Sequence, residues 1–299
     1  MLALALALDA VFGEPEALWR RVPHPVVLTG RAISALEAWL NQGAWRRAKG
    51  VLGLVLLLMP LGAGAWALSH PALYGLAEVA LAAILLAQRS LVEHVGAVAD
   101  GLDQGLVEGR QAVAMIVGRD PEQLDEAGVA RAAIESAAEN FSDGLVAPAF
   151  WFAVGGLPGI VLYKAVNTAD SMIGHRTERY EAYGWAAARL DDLLNLVPAR
   201  LSALLIAAAG AAPNALSITW RDARLHRSPN AGWPEAAMAA GLGVALSGPR
   251  SYGGQPTDEP WVNAEGRRDP GAAEIRRACA VLWRAWGIVL ALALALVLL

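Results

Sequence analysis

The sequence is poor in two things that soluble enzymes usually have, charge and cysteine. Only 17% of its 299 residues are charged, against about 25% in a typical soluble domain. Cys279 is the only cysteine, which excludes an internal disulfide and a cysteine-ligated metal site. The formal charge of −4 leaves no basic excess, so we expect no nucleic-acid partner. This composition does not suit an ordinary cytosolic enzyme.

Apolar residues fill the place of the missing charges. They make up 56% of the chain, and the mean hydropathy is +0.40. A membrane-spanning helix needs about 20 mainly apolar residues. The stretches with that character are Gly50–Ser69, Pro71–Gln88, Gly144–Tyr163, Leu201–Trp220 and Ala285–Leu299. The sequence therefore predicts an all-α, polytopic helical integral membrane protein with about five spans in the lipid bilayer.

The loops between these stretches predict a topology. Segments 13–50, 89–143 and 221–284 carry most of the Lys and Arg residues, and five spans place them together in the cytoplasm. Segment 164–200 then lies on the opposite side. We predict a multi-pass protein of the cell (inner) membrane, with residues 1–299 forming a single domain. Its polar insert, 89–143, is predicted to hold two helices, Val107–Ile116 and Glu122–Asn140, the second capped by Asp120.

Four charged residues within the insert form a regular pattern. Arg131, Glu135, Glu139 and Asp143 repeat every four residues, and because a helix turns about 100° per residue they form one stripe. Three neighbouring acids repel one another unless something positive lies among them. Mg²⁺, which favours carboxylates together with substrate phosphates, suits that need. The alternative interpretation is a solvated helix face with ion pairs between successive turns.

A second polar group follows the apolar run that starts at 144. Lys164, Asn167 and Ser171 share a helical face, with Asp170 beside them. Ionisable groups at the end of a span usually face a cavity or a partner. Further along, Arg176, Arg179 and Tyr180 could hold a phosphate or carboxylate. The alternative is that Lys164 extends toward the membrane interface while Asn167 and Asp170 form a structural bond.

Further candidates are more isolated. Asp191 and Asp192 are adjacent and cannot both face one way on a helix, so one could bind a metal while the other pairs with Arg189 or Arg200. His226 could titrate near neutral pH, although such a residue is more often an ordinary surface histidine. His24 stands between two prolines that fix an extended backbone. Glycine-rich phosphate-binding motifs are absent from the sequence, so a nucleotide site would have to consist of helix side chains.

These motifs, in this order, resemble the CbiB/CobD family of cobalamin biosynthesis, the adenosylcobinamide-phosphate synthases. The resemblance covers nearly the whole chain. It runs through 9–15, 23–25, Gly30, 133–143, 163–174, 179–180, 191–192, 198–200 and 228–238. Two departures are visible. Glu14 stands where aspartate is commoner, which keeps the charge, and Thr29 stands where methionine often precedes the glycine.

The resemblance implies a membrane enzyme that joins adenosylcobyric acid to (R)-1-aminopropan-2-ol or its O-phosphate through an amide bond. It implies an ATP-dependent ligase with ATP as co-substrate and Mg²⁺ as the metal. On that hypothesis the metal ligands are Glu135, Glu139, Asp143 and Asp191, and the catalytic residues are Asp170, Asp192, Lys164 and Asn167. The substrate-binding residues are Asn140, Arg176, Arg179, Tyr180, His24, His226 and Asn230.

Two other functions stay open on the sequence. A transporter would also carry intramembrane charges and broken helices, and a membrane signalling protein like the AmpE group is a distant alternative. For the enzyme, we expect the distant motifs to reach one cavity open to the cytoplasm. That requires a break at Gly155–Gly159 that makes 144–163 re-entrant, or a site within the membrane. A homo-oligomer or an assembly with other membrane enzymes of the cobalamin pathway is a further expectation.

Overall fold

The computed structural model describes residues 1–69, 75–117, 121–252, 255–257 and 259–298, and helices account for most of them. The α-helices are α1 Leu2–Phe12, α2 Glu16–Trp19, α3 Pro25–Leu40, α4 Arg46–Leu68, α5 Leu76–Leu85, α6 Gln88–Gln104, α7 Leu106–Ala114, α8 Glu126–Phe141, α9 Ala147–Ile173, α10 Trp185–Leu194, α11 Leu196–Gly210, α12 Ala215–Asp222, α13 Gly232–Leu242 and α14 Ala272–Leu298. A π-helix, Ser142–Val146, joins α8 to α9, and a 3₁₀-helix, Ala223–Leu225, follows α12. The predicted all-α class is confirmed.

The few strands form two small antiparallel pairs. Strand β1, Leu246–Ser247, pairs with β4, Trp261–Val262, and Leu246 lies opposite Val262. Strand β2, Arg250–Tyr252, pairs with β3, Gln255–Thr257. Both pairs lie in the connection between α13 and α14.

Three helical segments in the described part of the chain are long and apolar enough to cross a membrane. They are Arg46–Leu68, Glu126–Ile173 and Ala272–Leu296, and a fourth arises if the bent pair α10 and α11 counts as one. The polytopic character is confirmed, with three or four such segments rather than about five. Residues 71–74 of the stretch predicted over 71–88 lie outside the described residues. In the part that is described, from residue 75, the ten-residue α5 ends at Leu85 because the backbone becomes extended at Leu86.

Helix α4 is bracketed by two exposed tryptophans. Trp45, just before it, is 82% exposed, and Trp66, near its end, is 72% exposed. They are roughly 32 Å apart along a straight helix, close to the hydrocarbon thickness of a bilayer, about 30 Å. Tryptophan favours the two membrane interfaces. Helix α4 therefore has the dimensions of a span, and Arg46 and Arg47 mark its basic end.

Helix α9 folds back on itself. Gly156 has φ 59° and ψ −150°, a combination open essentially to glycine alone. A Cβ on Gly159 would collide with the carbonyl oxygen of Trp151, although about 12 Å would separate these positions in a straight helix. Residues 157–173 thus return alongside 147–155 as a helical hairpin. The predicted break at Gly155–Gly159 is confirmed, and Glu126–Ile173 is not one straight helix.

The chain forms two compact units. The first unit consists of residues 1–87 and 143–196, and the second of residues 88–142 and 197–299. The core of the first unit lies where α3, α4, α9 and α10 pack together, through Ile33, Leu57, Ala169 and Ala187. Gly62 of α4 lies against the side chain of Leu162 on the returning arm of α9. The expectation of one domain over 1–299 stays a prediction.

Residues 174–184 of the first unit lie at the basic end of α4. The Asn41 side-chain amide donates to the Arg179 carbonyl at 3.0 Å, and Arg46 donates to the carbonyls of Glu178 and Arg179. A Cβ on Gly50 would collide with the carbonyl of Tyr183. The prediction that 164–200 lies on the opposite side from 13–50 is therefore wrong for this loop. It assumed that the chain crosses the membrane between 144 and 163, whereas α9 turns back.

In the second unit, α8 is a core helix. Every residue from Gly128 to Ala138 except Arg131 is buried, and α6, α13 and α14 pack around it. Asp125 caps the helix by accepting from the Gly128 N–H at 2.7 Å, so α8 begins at Glu126 and not at Glu122 as predicted. The expected cap Asp120 lies outside the described residues. Helix α8 was predicted as part of a polar insert. It is instead buried over most of its length, and alanine is the commonest of its buried residues.

Candidate functional site

Two carboxylates of the first unit share one side-chain amide. The Nδ2 atom of Asn167, on α9, lies 3.3 Å from Asp143 Oδ2 and 3.3 Å from Asp191 Oδ1. Asp143 belongs to the π-helix and Asp191 to α10, where it is only 8% exposed. An amide donor between two acids relieves part of their repulsion. We call Asp143, Asn167 and Asp191 the acid–amide cluster.

The hairpin in α9 assembles this cluster. Asn167 follows Asp143 by 24 residues, a separation of about 36 Å in a straight helix. The fold-back at Gly156 brings the two together. Asp143 itself lies in a π-helical turn, a distortion that occurs frequently at functional sites.

Two buried side chains extend the hydrogen bonding of the cluster: Asn195 binds Asp191, and Tyr163 binds Asn195. The Tyr163 hydroxyl lies 3.0 Å from Asn195 Oδ1, and the Asn195 amide donates to Asp191 Oδ2 at 3.0 Å. Tyr163 and Asn195 are each 1% exposed. The prediction of site residues missed this pair. The spacing of four between Asp191 and Asn195, and between Tyr163 and Asn167, was the available signal, since such positions are neighbours on a helix.

Lys164 and Asp170 lie on the same arm of α9 as Asn167. Lys164 interacts electrostatically with Asp143 and Asp191, and Asp170 interacts with Asp191. The Asp170 carboxylate lies against the backbone of Gly174, where a Cβ would collide with it. Five of the predicted residues therefore lie within electrostatic or hydrogen-bonding reach of another member of the set, namely Asp143, Lys164, Asn167, Asp170 and Asp191.

A cavity of about 540 Å³ adjoins Lys164. Helices α3, α4, α5 and α9 line it, and among the described lining residues Lys164 alone carries a charge. Its volume falls in the range of small-molecule sites, roughly 300–1,000 Å³. Pro60 lines the same cavity, and it lies roughly 22 Å along α4 from Trp45. The cavity is therefore well inside the span.

Helices of the first unit begin and end beside this cavity. Helix α3 begins after His24, and α5 ends at Leu85, whose neighbour Leu86 is extended. The Ala87 N–H then donates to the Gly144 carbonyl of the π-helix at 3.0 Å. Broken helices that present backbone and polar groups to a cavity are a known way of building sites inside membrane proteins.

His24 caps the start of α3, beside this cavity, and its ring makes two contacts with the backbone. Its Nδ1 accepts from the Val26 N–H at 3.1 Å, and its Nε2 lies 3.3 Å from the Ile84 carbonyl oxygen. Burial lowers the pKa of the imidazole below its ordinary value, because desolvation disfavours the charged form. A neutral ring that accepts at Nδ1 and donates at Nε2 satisfies both contacts. Its predicted role in binding substrate stays a prediction.

The predicted phosphate-binding residues lie on the loop at the basic end of α4. The Arg179 guanidinium makes two hydrogen bonds to Glu37, at 3.0 and 2.8 Å, and stacks over Tyr180 with 5.3 Å to the ring centroid. These bonds lower the pKa of the Glu37 carboxyl. Arg176 is exposed on the same loop. The partner of Arg179 is thus a carboxylate of the protein, which the sequence analysis did not identify.

The adjacent acids Asp191 and Asp192 divide their roles as one interpretation proposed. Asp191 is buried in the acid–amide cluster, whereas Asp192 forms an ion pair with Arg189 at 3.3 Å on the more open side of α10. The geometry places Asp191, and not Asp192, with the other candidates.

The remaining candidates belong to the second unit. Glu135 is buried, and its Oε1 accepts from the Ser247 N–H at 2.7 Å, while Glu139 is exposed. The Asn140 amide donates to the Ser136 carbonyl at 2.9 Å. Helix α8 thus directs Glu135 and Glu139 to different surroundings.

The other two candidates of this unit, His226 and Asn230, precede α13. His226 Nε2 lies 3.7 Å from a carboxylate oxygen of Glu235, and the Asn230 side-chain oxygen accepts from Arg200 at 2.7 Å. Both are therefore held by neighbouring charged side chains. Their predicted contacts with substrate stay predictions.

The four predicted metal ligands are divided between the two units, with Asp143 and Asp191 in the first and Glu135 and Glu139 in the second. Within the residues that the structure describes, no group of three or more His, Cys, Asp or Glu side chains is placed to hold a metal ion. Asp143 and Asp191 remain as a pair bridged by Asn167. Two carboxylates still fit Mg²⁺, which is usually held by one or two protein carboxylates plus substrate phosphates and water.

These features define a class, an all-α membrane protein with a polar site built from interrupted helices. The chain belongs to the CobD/CbiB family, since residues 2–282 match the family described as CobD/Cbib protein. It is 53% identical over 310 residues to the cobalamin biosynthesis protein CobD of Rhizobium meliloti (strain 1021), covering 97% of this chain and 94% of the relative.

Two further relatives carry the same name. The CobD of Brucella suis biovar 1 (strain 1330) is 51% identical over 312 residues, 99% of this chain and 95% of the relative. The CobD of Rhodobacter capsulatus is 51% identical over 306 residues, 100% of this chain and 97% of the relative. No solved structure matches the chain.

Proposed function

We propose that this protein is a cobalamin-biosynthesis enzyme that forms an amide bond between adenosylcobyric acid and (R)-1-aminopropan-2-ol or its O-phosphate, at the expense of ATP. The family and the names of its relatives support the pathway. The observation that carries the proposal is the acid–amide cluster beside Lys164, because it places cation-binding carboxylates next to a cation in the interior of the first unit.

The reaction requires activation, because a carboxylate is a poor acyl donor. A propionate oxygen of the corrinoid attacks the γ-phosphorus of ATP, forming an acyl phosphate and releasing ADP. The amine nitrogen then attacks the carbonyl carbon, the C–N bond forms, and inorganic phosphate leaves with the electron pair of the broken C–O bond. Most of the protein's contribution is positioning and charge stabilisation.

The residues of the first unit suit these steps. Asp143 and Asp191 would hold Mg²⁺, which when bound neutralises charge on the phosphoryl oxygens. Lys164 stabilises negative charge on the propionate and on the departing phosphate. The amine arrives as an ammonium and must lose a proton, and Asp170 is the base in our proposal. Asp192, the alternative base, is engaged by Arg189. Asn167 orients the two metal-binding carboxylates.

The same contacts, together with the distribution of basic residues, support a proposal for the location of the site. The basic end of α4, with Arg46 and Arg47, lies in the cytoplasm by the positive-inside rule. Residues 174–184 lie at that end. We propose a site within the inner membrane that opens toward the cytoplasm, where ATP and the corrinoid are found. The cavity next to Lys164 offers volume for the reacting arm of the substrate.

The test is an amidation assay on the purified protein in lipid nanodiscs. Adenosylcobyric acid, ATP, Mg²⁺ and either aminopropanol or its phosphate are supplied, and the corrinoid product, ADP and phosphate are quantified. We expect one ADP and one phosphate for each amide formed. Asp143→Asn, Asp170→Asn and Asp191→Asn should each abolish product. Ser171→Ala, an exposed position on the same helix, should retain activity. Absence of product with both amines would overturn the proposal.

A transporter is the second candidate, because broken helices beside a cavity are also typical of transporters. It predicts movement of a corrinoid across the membrane of proteoliposomes without ATP-dependent change in its mass. Measuring flux and product on the same preparation separates the two functions.

A further inference from the structure

The hydrogen bonds behind Asp191 have a fixed direction. An ionised carboxylate only accepts, so the Asn195 group that faces Asp191 Oδ2 at 3.0 Å must be its NH₂. The Asn195 oxygen then faces Tyr163, 3.0 Å away, and the Tyr163 hydroxyl must donate to it. A single amide orientation satisfies both neighbours, and donation runs from Tyr163 through Asn195 to Asp191.

Asp191 thereby receives one amide donor on each oxygen. Asn195 donates to Oδ2 and Asn167 donates to Oδ1. These two bonds use two of the roughly four lone-pair positions of a carboxylate, which leaves one on each oxygen. A carboxylate held this way keeps its plane fixed and keeps capacity for a cation.

Tyr163 and Asn195 themselves are too deeply buried to meet a substrate. Each is 1% exposed, whereas Asp143 is partly exposed. Hydrogen bonds in such an interior are stronger than in water and act as a network. The Tyr163 hydroxyl also lies 3.4 Å from the Asp143 carbonyl oxygen, a longer contact than the one to Asn195. Any effect of Tyr163 and Asn195 on the reaction therefore passes through the carboxylates of the cluster, chiefly Asp191, and not through contact with substrate.

We propose that Tyr163 and Asn195 are positioning residues that set the Asp191 carboxylate for the divalent cation of the reaction. The inference rests on the proposed function for the identity of that cation. Groups that orient metal ligands from behind typically change metal affinity or activity by about 10- to 100-fold when they are removed. The relay from Tyr163 to Asp191 is built from α9 and α10 within the first unit.

The experiment measures binding of Mn²⁺ alone by electron paramagnetic resonance, without ATP or corrinoid. Tyr163→Phe and Asn195→Ala should each raise the Kd for Mn²⁺ by about tenfold or more. Tyr183→Phe is the matched control, since Tyr183 is a tyrosine of the same unit that is only 3% exposed and contacts Gly53 rather than the cluster. Its Kd should equal that of the wild type.

The second readout is the amidation assay with Mg²⁺ varied. The two variants should raise the Mg²⁺ concentration needed for half-maximal rate while the KM for adenosylcobyric acid stays unchanged. A purely structural role would not raise the required Mg²⁺ concentration while leaving the KM for adenosylcobyric acid unchanged. If Asn195→Ala fails to fold, as judged by size-exclusion chromatography, the near-isosteric Tyr163→Phe still decides the question.

The outcomes separate the two proposals. Unchanged Mn²⁺ affinity in Tyr163→Phe, an equal loss in Tyr183→Phe, or no Mn²⁺ binding by the wild type would overturn the positioning role. Loss of Mn²⁺ affinity in the variants, in a protein that makes no amide, would leave the positioning role standing and remove the proposed function.

Discussion

Asn167 lies 24 residues after Asp143 in the chain, yet its side-chain nitrogen is 3.3 Å from an oxygen of the Asp143 carboxylate. No straight helix allows this contact, because it would hold the two about 36 Å apart. The turn at Gly156 allows it, with a backbone conformation that only glycine adopts easily. The integrity of the cluster therefore depends on a residue that carries no functional group.

Gly156→Ala should destabilise the protein and disperse the cluster. The substitution forces a Cβ into the glycine-only region and costs about 1–3 kcal/mol. We expect a lower Tm in detergent and loss of amide formation.

Gly155→Ala is the matched control for this change. Gly155 is adjacent, and a Cβ added there meets no atom within 4 Å among the described residues. It should behave as the wild type. Equal Tm values for both variants would mean that Gly156 is not a constraint on the hairpin.

Asn167→Asp should abolish the proposed amidation activity while leaving the protein's size in solution unchanged. The change replaces the shared donor by a third carboxylate, so Asp143 and Asp191 lose their bridging hydrogen bonds and gain a repulsive neighbour. We expect the amidation rate to fall by at least about tenfold, measured at saturating ATP. Ser171→Ala, one turn further along α9, should not reproduce the loss.

The sequence allowed several of these features to be predicted. Apolar runs gave the membrane class, the glycines at 155–159 gave the break in α9, and the helical face of Lys164 and Asn167 gave part of the cluster. The described residues contain three or four segments long and apolar enough to cross a membrane, against about five predicted. Hydropathy does not distinguish a crossing helix from one that turns back, as α9 does. For the same reason, residues 174–184 were predicted on the side of the membrane opposite to residues 13–50.

The predicted stripe of three acids, Glu135, Glu139 and Asp143, differs from the structure for another reason. A period of four places Glu135, Glu139 and Asp143 on one helical face, but the π-helix at Ser142–Val146 changes the helical phase before α9. Glu135 moreover is engaged by the Ser247 N–H, which is distant in sequence. The spacing of residues in the sequence predicts neither a local change of helix type nor a tertiary hydrogen bond.

Glu135 and Glu139 should respond differently to substitution. Glu135→Ala leaves the buried Ser247 N–H without its acceptor, at a cost of about 1–3 kcal/mol in the free energy of unfolding. Glu139 is exposed, so Glu139→Ala should lower stability by less than Glu135→Ala does. If Glu139 binds metal as predicted, its variant loses amidation with a smaller change in Tm. Equal destabilisation by both changes would contradict this assignment.

The contact between Glu37 and Arg179 should make stability depend on pH. Hydrogen bonds from Arg179 lower the pKa of Glu37 in the folded protein, so the unfolded chain binds a proton at higher pH than the folded one. The stabilisation is complete above the ordinary glutamate pKa and is lost as the pH falls through the lower folded value. Tm measured from neutral to acidic pH should therefore fall, and Glu37→Gln should flatten that part of the profile. An unchanged profile would show that the pair contributes nothing.

The loop 174–184 and the start of α4 should be accessible from the same side of the membrane. Asn41 and Arg46 bind the backbone of this loop directly. Because Cys279 is the only cysteine, single-cysteine variants can be made in a Cys279→Ser background. A membrane-impermeant maleimide should label Gln42→Cys and Thr177→Cys in inverted vesicles, since we propose from the positive-inside rule that the basic end faces the cytoplasm. Ser69→Cys, after the other end of α4, should be labelled only in right-side-out vesicles. Labelling of Gln42→Cys and Thr177→Cys from opposite sides would mean that α9 crosses the membrane after all.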